Sequence, residues 1–246
     1  MTEPLISHPA DASAARPVRC HVIVPAAGNG FRYGASAPKQ YLSLLDKPVL
    51  QHALDRLTDG FPSSIVHVVI ARDDHWFDER IDAADNIRVL RCGGVTRPES
   101  VRNAVGSLQS ANPRDWVVVH DAVRPCLDRA AVLRLRHELV DDAVGGFLAV
   151  PVSDTLKRIG DNERVVCTES REALWRAQTP QMFRYDVLRQ ALDLPGFEFR
   201  TDEAHAVEAL GLTPRVVIGS ACNVKITYPE DMQLAAAILM AENRAS

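Results

Sequence analysis

Two basic side chains follow a short apolar segment near the start of the chain, in a stretch whose composition suits an anion. Val22-Ile23-Val24-Pro25 is of strand type, a loop of small residues comes next, and Arg32 and Lys39 lie seven residues apart. Backbone N–H groups of small residues can approach an anion closely, because no large side chain stands in the way. Arg and Lys add charge-assisted hydrogen bonds to phosphate oxygens. The stretch therefore predicts a phosphate site at the carboxyl end of a first strand, where open α/β sheets bind ligands.

Several kinds of loop share this composition. Gly28 and Gly30 supply the first half of the dinucleotide fingerprint G-x-G-x-x-G, but Tyr33 stands where the third glycine belongs. The G-x-x-x-x-G-K-[ST] motif of P-loop enzymes is absent from the sequence. A nucleotidyltransferase loop, in which small residues surround a triphosphate and distal cations hold it, fits the pattern better. An ordinary strand–loop connection with solvated Arg32 and Lys39 stays open for this segment alone.

Two other segments are expected at the same edge of the sheet. Asp121 directly follows an apolar segment of strand type, so Asp121 and Arg124 should lie at the carboxyl end of that strand. Gly93-Gly94 precedes the capping box Thr96-Arg97-Pro98-Glu99, and the helix N-terminus that follows has free N–H groups suited to an electron-rich ligand. Either segment by itself is also compatible with an ordinary turn or helix cap.

The elements that must position these residues alternate between strand and helix. Strand patterns occur at 21–25, 65–70, 87–90, 116–120, 146–152, 216–218 and 223–226. Helical patterns occur at 48–57, 96–108, 132–139, 185–192 and 201–210, and a capping box from Thr227 to Glu230 begins a final helix. This alternation predicts an α/β fold with a mostly parallel sheet and helices on both faces.

The alternation stops between about 153 and 180. Here 155–159 and 164–168 flank the turn cluster Gly160-Asp161-Asn162-Glu163, which predicts a projecting β-hairpin arm at about 153–176. An isolated two-stranded unit is marginally stable, so we expect the arm to dock against a second subunit. We assign residues 1–19 to a disordered tail and residues 20–246 to a single domain.

Composition excludes several classes of protein. The 246 residues are 46% hydrophobic with a net charge of −4, which argues against a nucleic-acid partner. The five cysteines are far apart and form no CxxC pair, so neither a disulfide framework nor a zinc site is predicted, and a reducing cytoplasm is expected. No apolar run approaches the roughly 20 residues of a membrane span, so no membrane partner is expected.

A set of short motifs runs along the chain from the first strand to the last helix. They are Pro25-Ala26-Ala27-Gly28-x-Gly30-x-Arg32, Pro38-Lys39-Gln40-Tyr41, Gly93-Gly94-x-x-Arg97-x-x-Ser100-Val101, His120-Asp121-Ala122-x-Arg124-Pro125, Pro151-Val152-x-Asp154-Thr155-x-Lys157-Arg158, Thr179-Pro180-Gln181, Thr201-Asp202-Glu203 and Asn223-x-Lys225-x-Thr227. In this combination the sequence from residue 21 onward resembles the 2-C-methyl-D-erythritol 4-phosphate cytidylyltransferases of the non-mevalonate isoprenoid pathway. One departure is Val95, where some members carry an acidic residue that can contact the base.

The resemblance implies a Rossmann-like nucleotidyltransferase fold and a reaction. An oxygen of the acceptor's 4-phosphate attacks the α-phosphorus of CTP, and pyrophosphate leaves. A phosphate monoester has a second pKa near 6 and is largely dianionic at pH 7, so it needs no general base. The obstacle is the approach of one anion to another, which cations and backbone donors relieve.

The resemblance also implies a role for each motif residue. Arg32, Lys39 and Lys225 are the expected catalytic cations. CTP would be bound by Pro25, Ala26, Ala27, Gly28, Gly30, Arg32, Lys39, Gly94, Ser100, Asp121, Ala122 and Lys225. The acceptor would be bound by Asp121, Arg124, Thr155, Arg171, Thr179 and Thr201. Mg²⁺ would be held mainly by the triphosphate, and the arm would join a homodimer, placing Thr155 and Arg171 in the partner's site.

Two other functions stay open on the sequence. A related cytidylyltransferase could act on another polyol phosphate, such as ribitol 5-phosphate, with the same CTP loop and a different acceptor pocket. A catalytically silent nucleotide-binding module could use the same fold, since fold does not imply function. The presence of Arg32, Lys39 and Lys225 together favours an enzyme.

Overall fold

The computed structural model describes residues 17–28 and 37–245. Their strands are β1 (Cys20–Pro25), β2 (Ser43–Leu44), β3 (Lys47–Pro48), β4 (Ile65–Val69), β5 (Ile87–Leu90), β6 (Trp116–Val119), β7 (Gly145–Pro151), β8 (Leu156–Ile159), β9 (Val165–Glu169), β10 (Trp175–Arg184) and β11 (Arg215–Ile218). Their α-helices are α1 (Val49–Gly60), α2 (Trp76–Arg80), α3 (Arg97–Ser107), α4 (Arg129–Leu139), α5 (Tyr185–Asp193), α6 (Glu203–Glu208) and α7 (Pro229–Ala245).

The central sheet contains seven strands in the order β11-β7-β10-β6-β1-β4-β5. β1 pairs in parallel with β4 and β6, β4 with β5, and β11 with β7. β10 runs antiparallel to both of its neighbours, β6 and β7. The predicted mostly parallel sheet is therefore confirmed, and the carboxyl ends of β1, β4 and β6 meet at one edge.

Helices cover both faces of this sheet, as predicted. Val22 and Val24 of β1 pack in one apolar cluster with Leu54 of α1, whereas Ile23 packs in another with Val101 of α3. Successive side chains of a strand point to opposite faces, so this alternation places one helical layer on each side. Burial on both faces explains why the strand patterns are nearly continuous apolar runs.

The predicted hairpin arm is also present. β8 and β9 pair antiparallel in a separate two-stranded sheet, joined by the turn at Gly160. The arm presents apolar side chains to solvent: Ile159, Val165 and Val166 are each more than half exposed. Such an exposed apolar surface is unusual for an isolated two-stranded unit. Docking of the arm against a second subunit stays a prediction.

Three sequence predictions about local structure were wrong or incomplete. The strand predicted at 223–226 is irregular, because its polar groups bond with neighbouring loops; Asn223, for example, accepts from Arg124. β10 was not predicted, since Pro180 and a register shift interrupt it and proline argues against a central strand. At the start of α7, Asp231 accepts the N–H groups of residues 227 and 228, which the sequence assigned to a capping box ending at Glu230.

Candidate active site

A cavity of about 780 Å³ lies at the edge where β1, β4 and β6 end. Its walls come from the loop after β1, the loop after β4, the start of α3, the loop after β6 and the segment before α7. The predicted site residues that line it are Pro25, Ala26, Ala27, Gly28, Lys39, Gly94, Ser100, Asp121, Ala122 and Lys225. Most of the residues expected to bind CTP thus meet at one place, although they come from four separate parts of the chain.

The small-residue loop is fixed by a buried amide. Gln40 Nε2 donates to the carbonyl oxygens of Ala26 at 2.7 Å and Gly28 at 3.0 Å. These carbonyls are thereby satisfied, and the loop holds its shape without a regular partner strand. Gln40 appeared in a sequence motif, but no role was assigned to it.

Two glycines allow the loop before α3 to approach the end of β1. A Cβ on Gly93 would lie 2.3 Å from the Ala27 Cβ, and one on Gly94 would lie 2.4 Å from the Glu99 Cβ. Neither distance is possible for real side chains, so only glycine permits this approach. The N–H of Gly94 then donates to Ser100 Oγ at 3.0 Å, which holds the loop on the first turn of α3.

Asp121 is the centre of a cluster of charges on the cavity wall. Its Oδ1 accepts from Arg97 Nε at 2.9 Å, and its Oδ2 accepts from Lys225 Nζ at 2.9 Å and Arg124 Nε at 3.4 Å. Arg97 also forms a bidentate pair with Glu203, at 2.7 and 3.1 Å. Three cations and two carboxylates therefore form one network with a net charge of +1 that faces the cavity.

The cations decide the protonation state of Asp121. Burial works to raise the pKa of the carboxyl group, but Arg97, Lys225 and Arg124 outweigh it and hold the pKa well below its usual range. A carboxylate with a depressed pKa contributes stability above its unfolded-state value of about 4, and that stability is lost only as the pH falls further. Asp121 is thus an anion at neutral pH.

Arg97 and Glu203 are site residues to which the sequence assigned no function. Arg97 lines the cavity, and Glu203 lies buried behind it at the start of α6. The same end of α6 is anchored by Gln181, whose side chain accepts from Ala204 N and donates to Asp202 Oδ2. Arg97 and Glu203 both occur in the sequence motifs, and this was the only sign of a function. The ion pair between them could not be deduced from the sequence.

We predict that Glu203→Gln lowers the free energy of unfolding by about 2 kcal/mol, because an uncharged amide replaces the buried partner of a charged guanidinium. Urea unfolding followed by circular dichroism measures the change. Glu208→Gln is the matched control, since Glu208 lies exposed on the same helix. A Glu203→Gln midpoint equal to that of the control would contradict the importance of this pair.

The two predicted catalytic lysines in the described residues, Lys39 and Lys225, are linked through Ile226. Lys39 Nζ donates to the carbonyl oxygen of Ile226 at 2.9 Å, and Ile226 directly follows Lys225. Ile226 is itself buried, and its N–H donates to Val123 O at 2.9 Å. The loop after β6 and the segment before α7 therefore hold both lysines at the cavity.

The residues predicted to bind the acceptor are divided between three places. Arg124 and Thr179 are buried behind Asp121, with Thr179 Oγ1 accepting the Asp121 N–H at 3.0 Å. Thr155 and Arg171 are exposed on the arm, where Arg171 donates to the Ser153 carbonyl. Thr201 is exposed near His205 and is not part of the cavity wall. Gly30 and Arg32, which were predicted to bind CTP, lie outside the described residues.

Comparison with known proteins identifies the family of this chain. The family model described as 2-C-methyl-D-erythritol 4-phosphate cytidylyltransferase matches residues 20–241. The chain belongs to this family. A cytidylyltransferase of that name from Dechloromonas aromatica is 50% identical over 226 residues, covering 91% of this chain and 98% of the relative. One from Laribacter hongkongensis is 52% identical over 227 residues, covering 92% and 98%.

The fold is shared with solved cytidylyltransferases. The crystal structure of the Francisella tularensis 2-C-methyl-D-erythritol 4-phosphate cytidylyltransferase superposes with a TM-score of 0.76 at 35% identity, covering 89% of this chain and 99% of that one. The predicted nucleotidyltransferase fold is thereby confirmed. Within the described ranges, the cytidylyltransferase has no helix with the length and apolar character of a membrane span.

Proposed function

We propose that this protein transfers CMP from CTP to 2-C-methyl-D-erythritol 4-phosphate, releasing pyrophosphate and forming 4-diphosphocytidyl-2-C-methyl-D-erythritol. The family and the names of its close relatives support the activity. The observation in the structure that carries it is the cavity where Lys39 and Lys225 meet the small-residue loop. A polyanionic nucleotide and a phosphate nucleophile both require such a concentration of donors and positive charge.

The cavity is built for electrostatic catalysis. In the described residues, the carboxylates that line it are Asp73 and Asp121. Asp121 is a poor base, because its three cationic partners stabilise the deprotonated form. The acceptor phosphate is already a dianion for most molecules at pH 7, so its oxygen attacks without prior loss of a proton. The work left to the protein is to align two anions and stabilise the charge that develops.

Each site residue then takes one part of this work. Arg32 and Lys39 bind the triphosphate and stabilise the leaving pyrophosphate, while Lys225 acts at the α-phosphate. The backbone of 25–28 and Gly30, with Gly94, Ser100, Asp121 and Ala122, holds CTP. Asp121 accepts hydrogen bonds from the acceptor's hydroxyl groups, with Arg124 and Thr179 nearby. Thr201 is a further acceptor residue in this proposal, although it lies outside the cavity wall of the single chain. The part of Lys225 is supported by its 2.9 Å contact with Asp121, which presents the ammonium group to the cavity.

Mg²⁺ fits this cavity as a companion of the nucleotide. The described residues form no cluster of three or more His, Cys, Asp or Glu side chains suited to a metal ion, and both oxygens of Asp121 accept from cations. We therefore assign the ion's ligands mainly to the triphosphate and water, as is usual for Mg²⁺. When bound, the ion would supply further positive charge to the triphosphate. The remaining charge of the triphosphate is neutralised by Arg32, Lys39 and Lys225.

The arm completes the acceptor site in a homodimer. Its apolar side chains at 159, 165 and 166 are exposed in the single chain, which supports docking on a partner. Thr155 and Arg171 then reach the acceptor phosphate in the partner's cavity. We place the enzyme in the cytoplasm, where its five free cysteines stay reduced.

We predict that Arg171→Ala raises the KM for methylerythritol phosphate about tenfold and leaves the KM for CTP unchanged, because one charged contact to the acceptor is lost. Initial rates with each substrate varied in turn measure this. Arg164→Ala is the matched control, since Arg164 is exposed at the other end of the arm. Sedimentation should show a dimer, and a monomer with full activity would refute the arm's role.

Release of pyrophosphate tests the proposed function itself. The purified protein is incubated with CTP, Mg²⁺ and either methylerythritol phosphate or ribitol 5-phosphate. We expect turnover with methylerythritol phosphate and little with ribitol 5-phosphate. Faster turnover of ribitol 5-phosphate would replace the proposed acceptor, and no turnover with any acceptor would point to a silent nucleotide-binding module.

A further inference from the structure

One buried imidazole adjoins the site without a part in the chemistry above. His120 directly follows β6 and is fully buried. Both ring nitrogens have partners: Nε2 lies 3.2 Å from the Arg124 carbonyl oxygen, and Nδ1 lies 3.1 Å from Thr179 Oγ1. A buried histidine with two specific bonds does more than fill space, because each bond restricts a different segment.

The partners determine where the proton on the ring resides. The Arg124 carbonyl oxygen can only accept, so Nε2 carries the hydrogen and donates it. In a neutral ring Nδ1 is then an acceptor, and the Thr179 hydroxyl donates to it. The same hydroxyl oxygen accepts the Asp121 N–H at 3.0 Å. Hydrogen bonds therefore run in one direction, from Asp121 N–H through Thr179 and His120 to the Arg124 carbonyl.

This chain of bonds begins and ends on two residues of the charge cluster. It holds Asp121 at one end and Arg124 at the other, and Arg124 N also donates to Asp121 O at 3.1 Å. Asn223 extends the network, because it donates to Thr179 O at 2.8 Å and accepts from Arg124 at 2.7 Å. The imidazole thus connects the loop after β6 to β10 and, through Asn223, to the segment that carries Lys225.

We propose that His120 is a positioning residue that orients Asp121 and Arg124 for the acceptor, acting as a neutral ring protonated at Nε2. This inference rests on the proposed function, because Asp121 and Arg124 are the groups that would bind the acceptor. The electrostatics agree with a neutral ring: burial lowers the pKa of His120 to about 4. Protonation of Nδ1 would place a donor against the Thr179 hydrogen and break the chain.

Two substitutions separate the two bonds. The side chain of Asn reaches only the position of Nδ1, so His120→Asn keeps the contact with Thr179 and loses that with Arg124 O. The longer His120→Gln does the reverse. Each variant should raise the KM for methylerythritol phosphate about tenfold, the effect of one buried hydrogen bond. The KM for CTP should rise less, because Asp121 is shared with the CTP site whereas Arg124 belongs to the acceptor site alone. His137→Gln, at an exposed position on α4, is the control and should match the wild type.

A merely structural histidine would give a different kinetic pattern. An unchanged KM for the acceptor in both variants, or an equal rise in both KM values, would overturn the proposal. A second measurement uses the wild-type protein alone. The ¹⁵N chemical shifts of the His120 ring should show a neutral imidazole with its hydrogen on Nε2 from pH 7 down to about pH 5. Hydrogen on Nδ1 would overturn the proposal even if the variants do not fold.

Failure of the proposed function has its own signature. If the wild-type protein releases no pyrophosphate with methylerythritol phosphate, the activity is wrong, whatever the ring's protonation. If the wild type is active and the His120 variants leave the KM for the acceptor unchanged, the activity stands and the positioning role is wrong. The two results are therefore distinguishable in one set of assays.

Discussion

Lys225→Met should lower kcat by about 10²- to 10³-fold, the loss found when one preorganised electrostatic donor is removed from a transition state. The ammonium group is held at 2.9 Å from Asp121 Oδ2 at the cavity wall. The ammonium group therefore needs little rearrangement to stabilise the negative charge that develops on the α-phosphate. Methionine has a similar length and no charge, so the change removes the donor while the side chain's apolar part is retained. Steady-state release of pyrophosphate measures kcat.

The matched control for this variant is Lys47→Met. Lys47 is 47% exposed and pairs with Asp55 at 2.8 Å, whereas Lys225 is 43% exposed and pairs with Asp121 at 2.9 Å. Both lysines are similarly exposed and pair with an aspartate, although Asp55 is 42% exposed and Asp121 only 7%. Lys47 lies in β3 and is not part of the cavity wall. The control should keep wild-type kcat. Equal effects of both substitutions would mean that Lys225 acts through general surface charge.

Lys39→Ala should lower kcat/KM for CTP by a similar factor of about 10²- to 10³-fold. Lys39 is half-buried, and its Nζ is held by the Ile226 carbonyl at 2.9 Å, so its charge is presented to the cavity with little conformational freedom. Its removal takes a cation away from the triphosphate and leaves Lys225 in place. Initial rates with CTP varied at saturating acceptor measure the change.

Lys47→Ala is the control for this truncation, since it removes an equally long charged side chain away from the cavity. Unchanged kcat and KM in Lys39→Ala would show that the loop after β1 has been misinterpreted as a triphosphate site. A rise in KM with unchanged kcat would mean that Lys39 binds ground state and transition state equally. Its role would then be binding alone.

Much of the fold follows from signals that act over a few residues. The capping box at Thr96 and Glu99 forms as predicted, because both of its bonds lie within one turn. The apolar runs at β1, β4 and β6 form strands buried on both faces, as their continuous hydrophobicity indicates. β10 was missed because Pro180 contradicts the local rule for a central strand, and only pairing with β6 and β7 decides its state.

The amino-acid sequence by itself determined the α/β class, the hairpin arm, the loop of small residues and the motifs that indicate a cytidylyltransferase. Each of these depends on residue types at short spacing. The tertiary structure alone decided which charges pair: Arg97 bridges Asp121 and Glu203, which lie 24 and 106 positions away, and Lys39 meets a carbonyl 187 positions away. Ion pairs and buried hydrogen bonds depend on distance and burial, and the packing of the sheet and its helices sets both. The same packing places His120 behind the charge cluster that it is proposed to orient.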